Sequence, residues 1–138
     1  MHPTHFASAV AAALTASGLV NATVQPMGST VARAHPLLGV MVQGFSTLHP
    51  AMHRGTLVLR YEFDADTTPA ATAAADLQAA TDYLLSATGR AALQALLCPS
   101  SLWLRILGPA GTTGETAETG DRTRSQDQSL PFWLQSSL

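Results

Sequence analysis

The chain has 138 residues and a formal net charge of −2; only 12% of the residues are charged, and all seven basic residues are arginine. We expect one domain spanning 1–138, long enough to bury a hydrophobic core. The weak negative charge excludes a protein that wraps or compacts nucleic acid, because that function needs many cations against the phosphates. A single cysteine, Cys98, excludes an internal disulfide framework and a multi-cysteine zinc site.

The first predicted element is an amphipathic helix at about residues 5–17, capped by Thr4 and ended by Gly18. No arginine precedes Arg33, and the apolar run is short and alanine-rich. We therefore expect part of the folded domain here, and neither a signal peptide nor a membrane span. The apolar stripe of this helix repeats at a spacing of four residues: Phe6, Val10 and Leu14.

Strands are predicted at residues 19–25 and 37–45, and the clearest strand signal of the chain is Arg54–Asp66. Apolar and polar residues alternate there, as in a half-buried antiparallel strand with one solvated face. The last two strands are expected to form a long hairpin, with Thr47–Arg54 in its connecting loop. The residues predicted to face the core are Leu57, Leu59, Tyr61 and Phe63.

The second half of the chain predicts two helices and two strands. One helix is capped by Thr67 or Thr68 and runs to about Ser86; Thr88-Gly89 then breaks the helical pattern. The remaining predictions are a helix at Arg90–Cys98, a strand at Leu102–Leu107, a flexible loop at 108–124 and a final strand at Asp121–Leu134.

These elements predict an α+β fold. We expect a small antiparallel or mixed sheet with a long β-hairpin, packed by an N-terminal helix and two central helices.

The sequence contains residues that could carry chemistry, but none of them forms a recognisable motif. His49 and His53 flank a proline in a predicted loop, which favours a surface role over a metal site. Glu62, Asp64 and Asp66 cluster at a strand end and are interpreted as solvated or helix-start charges. We therefore expect no catalytic residue, no cofactor and no metal. The alternative is a small enzyme that uses His53 with Glu62.

Two tryptophans, Trp103 and Trp133, lie on predicted strands near the end of the chain. Tryptophan and arginine are both enriched at the energetic centres of protein interfaces. Either these rings pack in or beside the core, or they anchor a contact between subunits. The sequence alone leaves both interpretations open.

The order of elements resembles that of the tail terminator and tail-completion (neck) proteins of long-tailed bacteriophages. The features that carry the resemblance are the helix at His5–Ser17, the strand from Arg54 to Asp64-Ala-Asp66 with its Thr-Pro helix start, and the Asp76-Leu77…Tyr83-Leu84-Leu85 helix. A shorter leucine-rich helix follows, and the final strand begins at Arg122-Thr-Arg124 and turns apolar at Leu130–Leu134. The resemblance covers nearly the whole chain as a pattern.

This resemblance implies a structural virion protein of the tail or neck that is assembled in the host cytoplasm. Such a protein forms a homo-oligomeric ring, commonly a hexamer, at the head-proximal end of the tail. The ring ends polymerisation of the tube and joins the tail to the head connector, so its partners would be the tail tube protein and the connector or neck proteins. DNA would pass through without specific binding, which the net negative charge suits.

Alternatives are another head–tail joining protein, a small α+β enzyme, or a ligand-binding domain. The two loops, Thr47–Arg54 and Gly108–Arg124, are expected to carry intersubunit contacts. The predicted interface residues are Arg54, Arg60, Trp103, Arg122, Arg124 and Trp133.

Overall fold

The computed structural model describes residues 2–27, 36–49, 51–97, 101–108, 111–112, 117–118 and 123–136. The predicted α+β class is confirmed: three helices pack on a mixed, curled sheet that contains a long hairpin. The elements in chain order are α1 (Pro3–Ser17), β1 (Thr23–Pro26), β2 (Leu37–His49), β3 (Met52–Asp64), α2 (Ala70–Leu85), α3 (Ala87–Leu97), β4 (Ser101–Ile106), β5 (Gly111–Thr112), β6 (Ala117–Glu118) and β7 (Thr123–Ser136).

The sheet has the strand order β1-β2-β3-β7-β4, and the short strands β5 and β6 pair with β7. Only the pairing of β1 with β2 is parallel; the other pairs are antiparallel. The three helices lie on one face of the sheet, which we call the covered face. Their apolar residues join those of the strands in one hydrophobic core. The opposite side of the sheet is called the open face.

Strand β3 confirms the alternation predicted for its inward side, because Leu57, Leu59, Tyr61 and Phe63 are all buried. The prediction of a solvated opposite side is wrong in part. Val58 is 5% exposed and Glu62 is 7% exposed. The reason is the position of β3 in the sheet: it pairs along its whole length with β7 and along most of it with β2, so neighbouring side chains flank it on both edges.

The predicted loop at Thr47–Arg54 is wrong, because both strands of the hairpin continue through it. Ser46 pairs with Arg54 and Thr47 with His53, so β2 runs to His49 and β3 begins at Met52. A β-bulge precedes this stretch, between Gln43 and Ser46, and Gly44 there adopts a φ of 61°. The bulge adds a residue to β2 and restores the pairing beyond it.

Helix α1 begins at Pro3, before the predicted start, and the assignment of Thr4 as its cap is wrong. The cap is His2, whose Nδ1 atom accepts a hydrogen bond from the Thr4 backbone N–H at 3.2 Å. The predicted stop is confirmed at Gly18, which has a φ of 67° and donates its N–H to the Thr15 carbonyl at 3.3 Å.

The junction between α2 and α3 also differs from the prediction. Pro69 takes the N-cap position of α2 in place of a threonine. The helical pattern is interrupted at Ser86 instead of Thr88-Gly89, and Gly89 lies inside α3. Gly89 is buried there, and a β-carbon at this position would collide with the backbone of Tyr83. The glycine therefore permits a close approach between two helices instead of ending one.

Some of the predictions fall on residues outside the described ranges, namely Cys98, Arg122 and most of the 108–124 segment. Within that segment, β5 and β6 pair with β7. The final strand, predicted at Asp121–Leu134, is described from Thr123 to Ser136.

Candidate interaction surface

Three side chains lie in one row across three neighbouring strands, and two of them, Arg54 and Trp133, are predicted interface residues. Arg54 of β3 is directly opposite Trp133 of β7, and Trp133 is directly opposite Arg105 of β4. Residues directly opposite each other in antiparallel strands project to the same face. The neighbouring pair Gly55 and Phe132 belongs to the covered face, so the row of Arg54, Trp133 and Arg105 lies on the open face.

The covered face at this end of the sheet is fixed by aromatic packing. The ring of Phe132 stacks on Phe6 of α1 with a centroid distance of 4.3 Å. Phe45 packs against Phe132 at 6.4 Å. A β-carbon at Gly55 would lie 3.0 Å from the Phe132 ring, so the glycine makes room for this stack. The core packing thus determines which residues of the strands point outward.

Trp103 extends the row into a wider surface. It lies opposite Gln135, so it is a diagonal neighbour of Trp133, at the spacing of about 7–8 Å that long side chains can bridge. Trp103 is 43% exposed, and Arg54 and Arg105 are also exposed. A cavity of about 280 Å³ adjoins the row, lined in part by Arg54, Thr56 and Trp133. We call Arg54, Trp103, Arg105 and Trp133 the Arg/Trp surface.

Arg60 lies on the open face, but its guanidinium is engaged within the chain. Its Nε and Nη2 atoms donate to the two carboxylate oxygens of Asp127, each at 2.9 Å. The pKa of Arg60 is raised, mainly by its hydrogen bond to Asp127. This bidentate pair connects β3 to β7, and its side chains are 34% and 27% exposed. Arg60 is therefore a cross-strand tie.

Arg124 does not join the Arg/Trp surface. It lies opposite the buried Phe63, which places it on the covered face, near the other end of β7. Of the six predicted interface residues, the structure thus brings together Arg54, Trp103 and Trp133. Arg122 is outside the described ranges.

Arg105 is the member of the surface that sequence reasoning did not select. The sequence contains a signal for it, because alternation along the predicted strand Leu102–Leu107 places Trp103, Arg105 and Leu107 on one side. What the sequence could not show is that β4 pairs with β7 in a register that sets Arg105 beside Trp133.

The alternative enzyme site, His53 with Glu62, is not assembled. The two residues are nine positions apart on one extended strand, so they point to opposite faces and lie about 30 Å apart along it. His53 instead contacts two hydroxyls. Its Nε2 atom is 2.8 Å from Ser136 Oγ, and its Nδ1 atom is 3.0 Å from Thr47 Oγ1.

A histidine beside a serine hydroxyl has the spacing of a general base and a nucleophile. Here His53 and Ser136 are each only 5% exposed, and the imidazole stacks on Phe45 at 5.2 Å. Both groups are therefore largely withdrawn from solvent. Burial lowers the pKa of His53, which favours the neutral ring. Its two hydrogen bonds link the hairpin to β7.

A second buried polar cluster joins α2 to the sheet. The Tyr61 hydroxyl donates to Asp76 Oδ2 at 2.6 Å, and Asn21 Nδ2 is 3.5 Å from Asp76 Oδ1. Burial, together with the hydrogen bond to Asp76, raises the pKa of Tyr61. Asp76 is 5% exposed, so its carboxylate is satisfied by protein partners in the interior.

The described ranges hold no candidate metal site and no helix suited to crossing a membrane. No group of three or more His, Cys, Asp or Glu side chains is placed to hold a metal ion among these residues. None of the helices in this part of the chain is long and apolar enough to cross a membrane.

Comparison with known proteins adds no assignment. No protein-family model matches the sequence, and a search of the curated proteins finds no match.

Proposed function

We propose that this chain is a structural subunit of a bacteriophage virion, a tail terminator or a related neck protein, that assembles as a homo-oligomeric ring of about six copies. The ring ends tube polymerisation and joins the tail to the head connector. The resemblance of the order of elements to that family supports this proposal. The observation that carries it furthest is the Arg/Trp surface, because exposed Trp and Arg side chains at one place are typical of protein interfaces.

The location of the surface suits a contact between subunits. Arg54, Trp133 and Arg105 lie on three paired strands, so the backbone holds them in a fixed row. Association therefore costs little conformational entropy beyond that of the side-chain rotamers. The planar guanidinium groups of Arg54 and Arg105 lie on either side of the indole. Each can bind a carboxylate of the neighbouring subunit or stack on an aromatic ring of that subunit. The Trp133 ring would supply the apolar centre of the contact.

Substitutions in the row of Arg54, Trp133 and Arg105 test this proposal. In Arg54→Glu and Trp133→Ala, we expect the ring to dissociate while far-ultraviolet circular dichroism stays that of the wild type. The matched control is Ala71→Glu, which adds a carboxylate on an exposed position of α2, away from the row. Native mass spectrometry and negative-stain microscopy report the ring. Rings of normal copy number in the row variants would remove the Arg/Trp surface from the interface.

A polymerisation assay separates the terminator from other neck proteins. A terminator added to growing tail tubes of the same phage shortens them, whereas a protein that only joins head and tail leaves the tube length unchanged. The measurement is the distribution of tube lengths by electron microscopy at increasing amounts of the protein.

A further inference from the structure

A groove lies between α3 and β4, at the end of the sheet. Its volume is about 540 Å³, within the range of about 300–1,000 Å³ that is usual for binding clefts. Helix α3 turns Leu93 and Leu97 into the core, and the small residues Ala87 and Ala91 leave room on its wall of the groove. The groove is lined by Ala87, Arg90, Ala91 and Gln94 from the helix and by Trp103, Leu104 and Arg105 from the strand.

The strand that forms one wall of this groove is an edge strand. In the described sheet, β4 pairs with β7 on one side and ends the strand order on the other. The backbone N–H of Leu107 donates to the Pro131 carbonyl at 2.8 Å. In an antiparallel pair, alternate residues turn their N–H and C=O groups towards the partner strand. Arg105 and Trp103 therefore bond towards β7, and Leu104 and Ile106 direct their backbone groups to the outer edge.

The described lining of the groove carries charge of one sign. Arg90 stands on the helix wall and Arg105 on the strand wall; both are exposed, and the lining residues that the structure describes include no carboxylate. This is a local excess of positive charge on a chain whose formal net charge is −2. Two guanidinium groups on opposite walls are suited to bind carboxylates of a segment lying between them.

We propose that the groove binds an extended, acidic segment of a separate partner protein, which adds to the sheet as a strand along the outer edge of β4. The backbone of the partner segment would pair with Leu104 and Ile106, and Arg90 and Arg105 would bind its carboxylates. Strand addition at an exposed sheet edge is an established mode of peptide recognition. The six residues of β4 give an edge of about 20 Å, so the segment bound is short. The groove shares Trp103 and Arg105 with the Arg/Trp surface, but binding of the segment does not require the ring to form.

A fluorescein-labelled octapeptide of alternating Thr and Glu is the probe, and the same peptide with Lys in place of Glu is its control. We expect the acidic peptide to raise its fluorescence anisotropy on binding the wild-type chain, and the basic peptide not to. Arg90→Glu and Arg105→Glu should each weaken binding about tenfold, because each sets a like charge beside the peptide carboxylates. Arg54→Glu is the matched control, since Arg54 lies two strands away on the open face.

The pairing with the strand edge is tested on the peptide itself. Two acidic peptides are compared, each N-methylated on one of the two alternating sets of residues. Strand addition requires that one set loses binding and the other keeps it, because only one set faces β4. Equal binding of the two N-methylated peptides, or no binding of the unmodified acidic peptide, would overturn the proposal.

The outcome also separates this groove from the ring. If Arg54→Glu dissociates the ring but still binds the peptide, the groove binds its segment without the ring, as proposed. Arg90 lines the groove but lies outside the Arg/Trp surface, so Arg90→Glu should leave the ring intact. If Arg90→Glu dissociates the ring, the occupant of the groove is a second copy of this chain, and the assignment to a separate partner is wrong. Failure of the ring tests leaves the peptide measurement unaffected, because the peptide is assayed on the monomer as well.

Discussion

The polar groups of the covered face and those of the exposed row on the open face are held in opposite ways. On the covered face the hydroxyl of Tyr61 donates a hydrogen bond to Asp76 at 2.6 Å, and His53 is hydrogen-bonded to Ser136 at 2.8 Å. Both hydrogen bonds are buried. On the open face Arg54 and Arg105 are exposed on either side of Trp133. The comparison teaches that the buried polar groups hold elements of this chain together, whereas the exposed row is available to another molecule.

Removal of the buried carboxylate should have the largest effect on the covered face. Asp76→Ala leaves the Tyr61 hydroxyl without its acceptor, and we expect the free energy of unfolding to fall by about 3 kcal/mol. Urea denaturation followed by circular dichroism measures this. The control is Asp82→Ala on the same helix, an exposed position where a change within about 0.5 kcal/mol is expected. Equal losses in the two variants would contradict the contrast.

The next effect concerns Gly89, where the usual helix rule should reverse. Alanine normally stabilises a helix by about 1 kcal/mol relative to glycine. Here the added methyl group meets the Tyr83 backbone, so Gly89→Ala should lower the free energy of unfolding by about 2 kcal/mol. Thr88→Ala, at the exposed neighbouring position, should be neutral or slightly stabilising. A stabilised Gly89→Ala protein would show that the two helices are not in close contact.

The ion pair between Arg60 and Asp127 on the open face should contribute little to the free energy of unfolding. A double-mutant cycle on Arg60 and Asp127 is expected to give a coupling energy of about 0.5–1 kcal/mol, because water partly screens the pair. The coupling should fall in 1 M salt. The matched cycle on Arg105 and Asp127, which are not paired with each other, should give none. A coupling above about 2 kcal/mol would place this pair with the buried groups.

The smallest effect is a pH dependence from His53. Its pKa is lowered from the ordinary 6.5 by burial, so below that pH the unfolded chain binds more protons than the folded one. The contribution to stability is complete above pH 6.5 and is lost as the pH falls below it. Stability measured from pH 8 to pH 5 should therefore fall more steeply in the wild type than in His53→Gln. Parallel curves would show that His53 is not desolvated.

The elements that could be predicted are those set by local pattern. The alternation in β3 and the stop at Gly18 depend on residues next to each other in the chain, and both were correct. The cap at His2 was missed, because histidine is an unusual cap. The glycines of the predicted strand 37–45, Gly39 and Gly44, suggest a bulge or a close backbone approach, and the bulge is confirmed at Gly44. The continuous hairpin at Thr47–Arg54 follows from that bulge.

The candidate surface was predictable only residue by residue. Arg54 and Trp133 were selected for their types, but their juxtaposition depends on the register of strands far apart in sequence. For the same reason the sequence did not show that Arg105 lies in this surface. It also did not show that Arg60 is paired within the chain, since its partner Asp127 is 67 residues away.

Sedimentation velocity over a range of protein concentrations decides whether the open face of the sheet joins the subunits. We expect the wild-type chain to form a closed assembly of about six copies, and the double variant Arg54→Glu, Trp133→Ala to sediment as a folded monomer at the same concentrations. A wild-type chain that stays monomeric at every concentration, or a double variant that forms the same assembly, would contradict the proposal that the open face of the sheet joins the subunits.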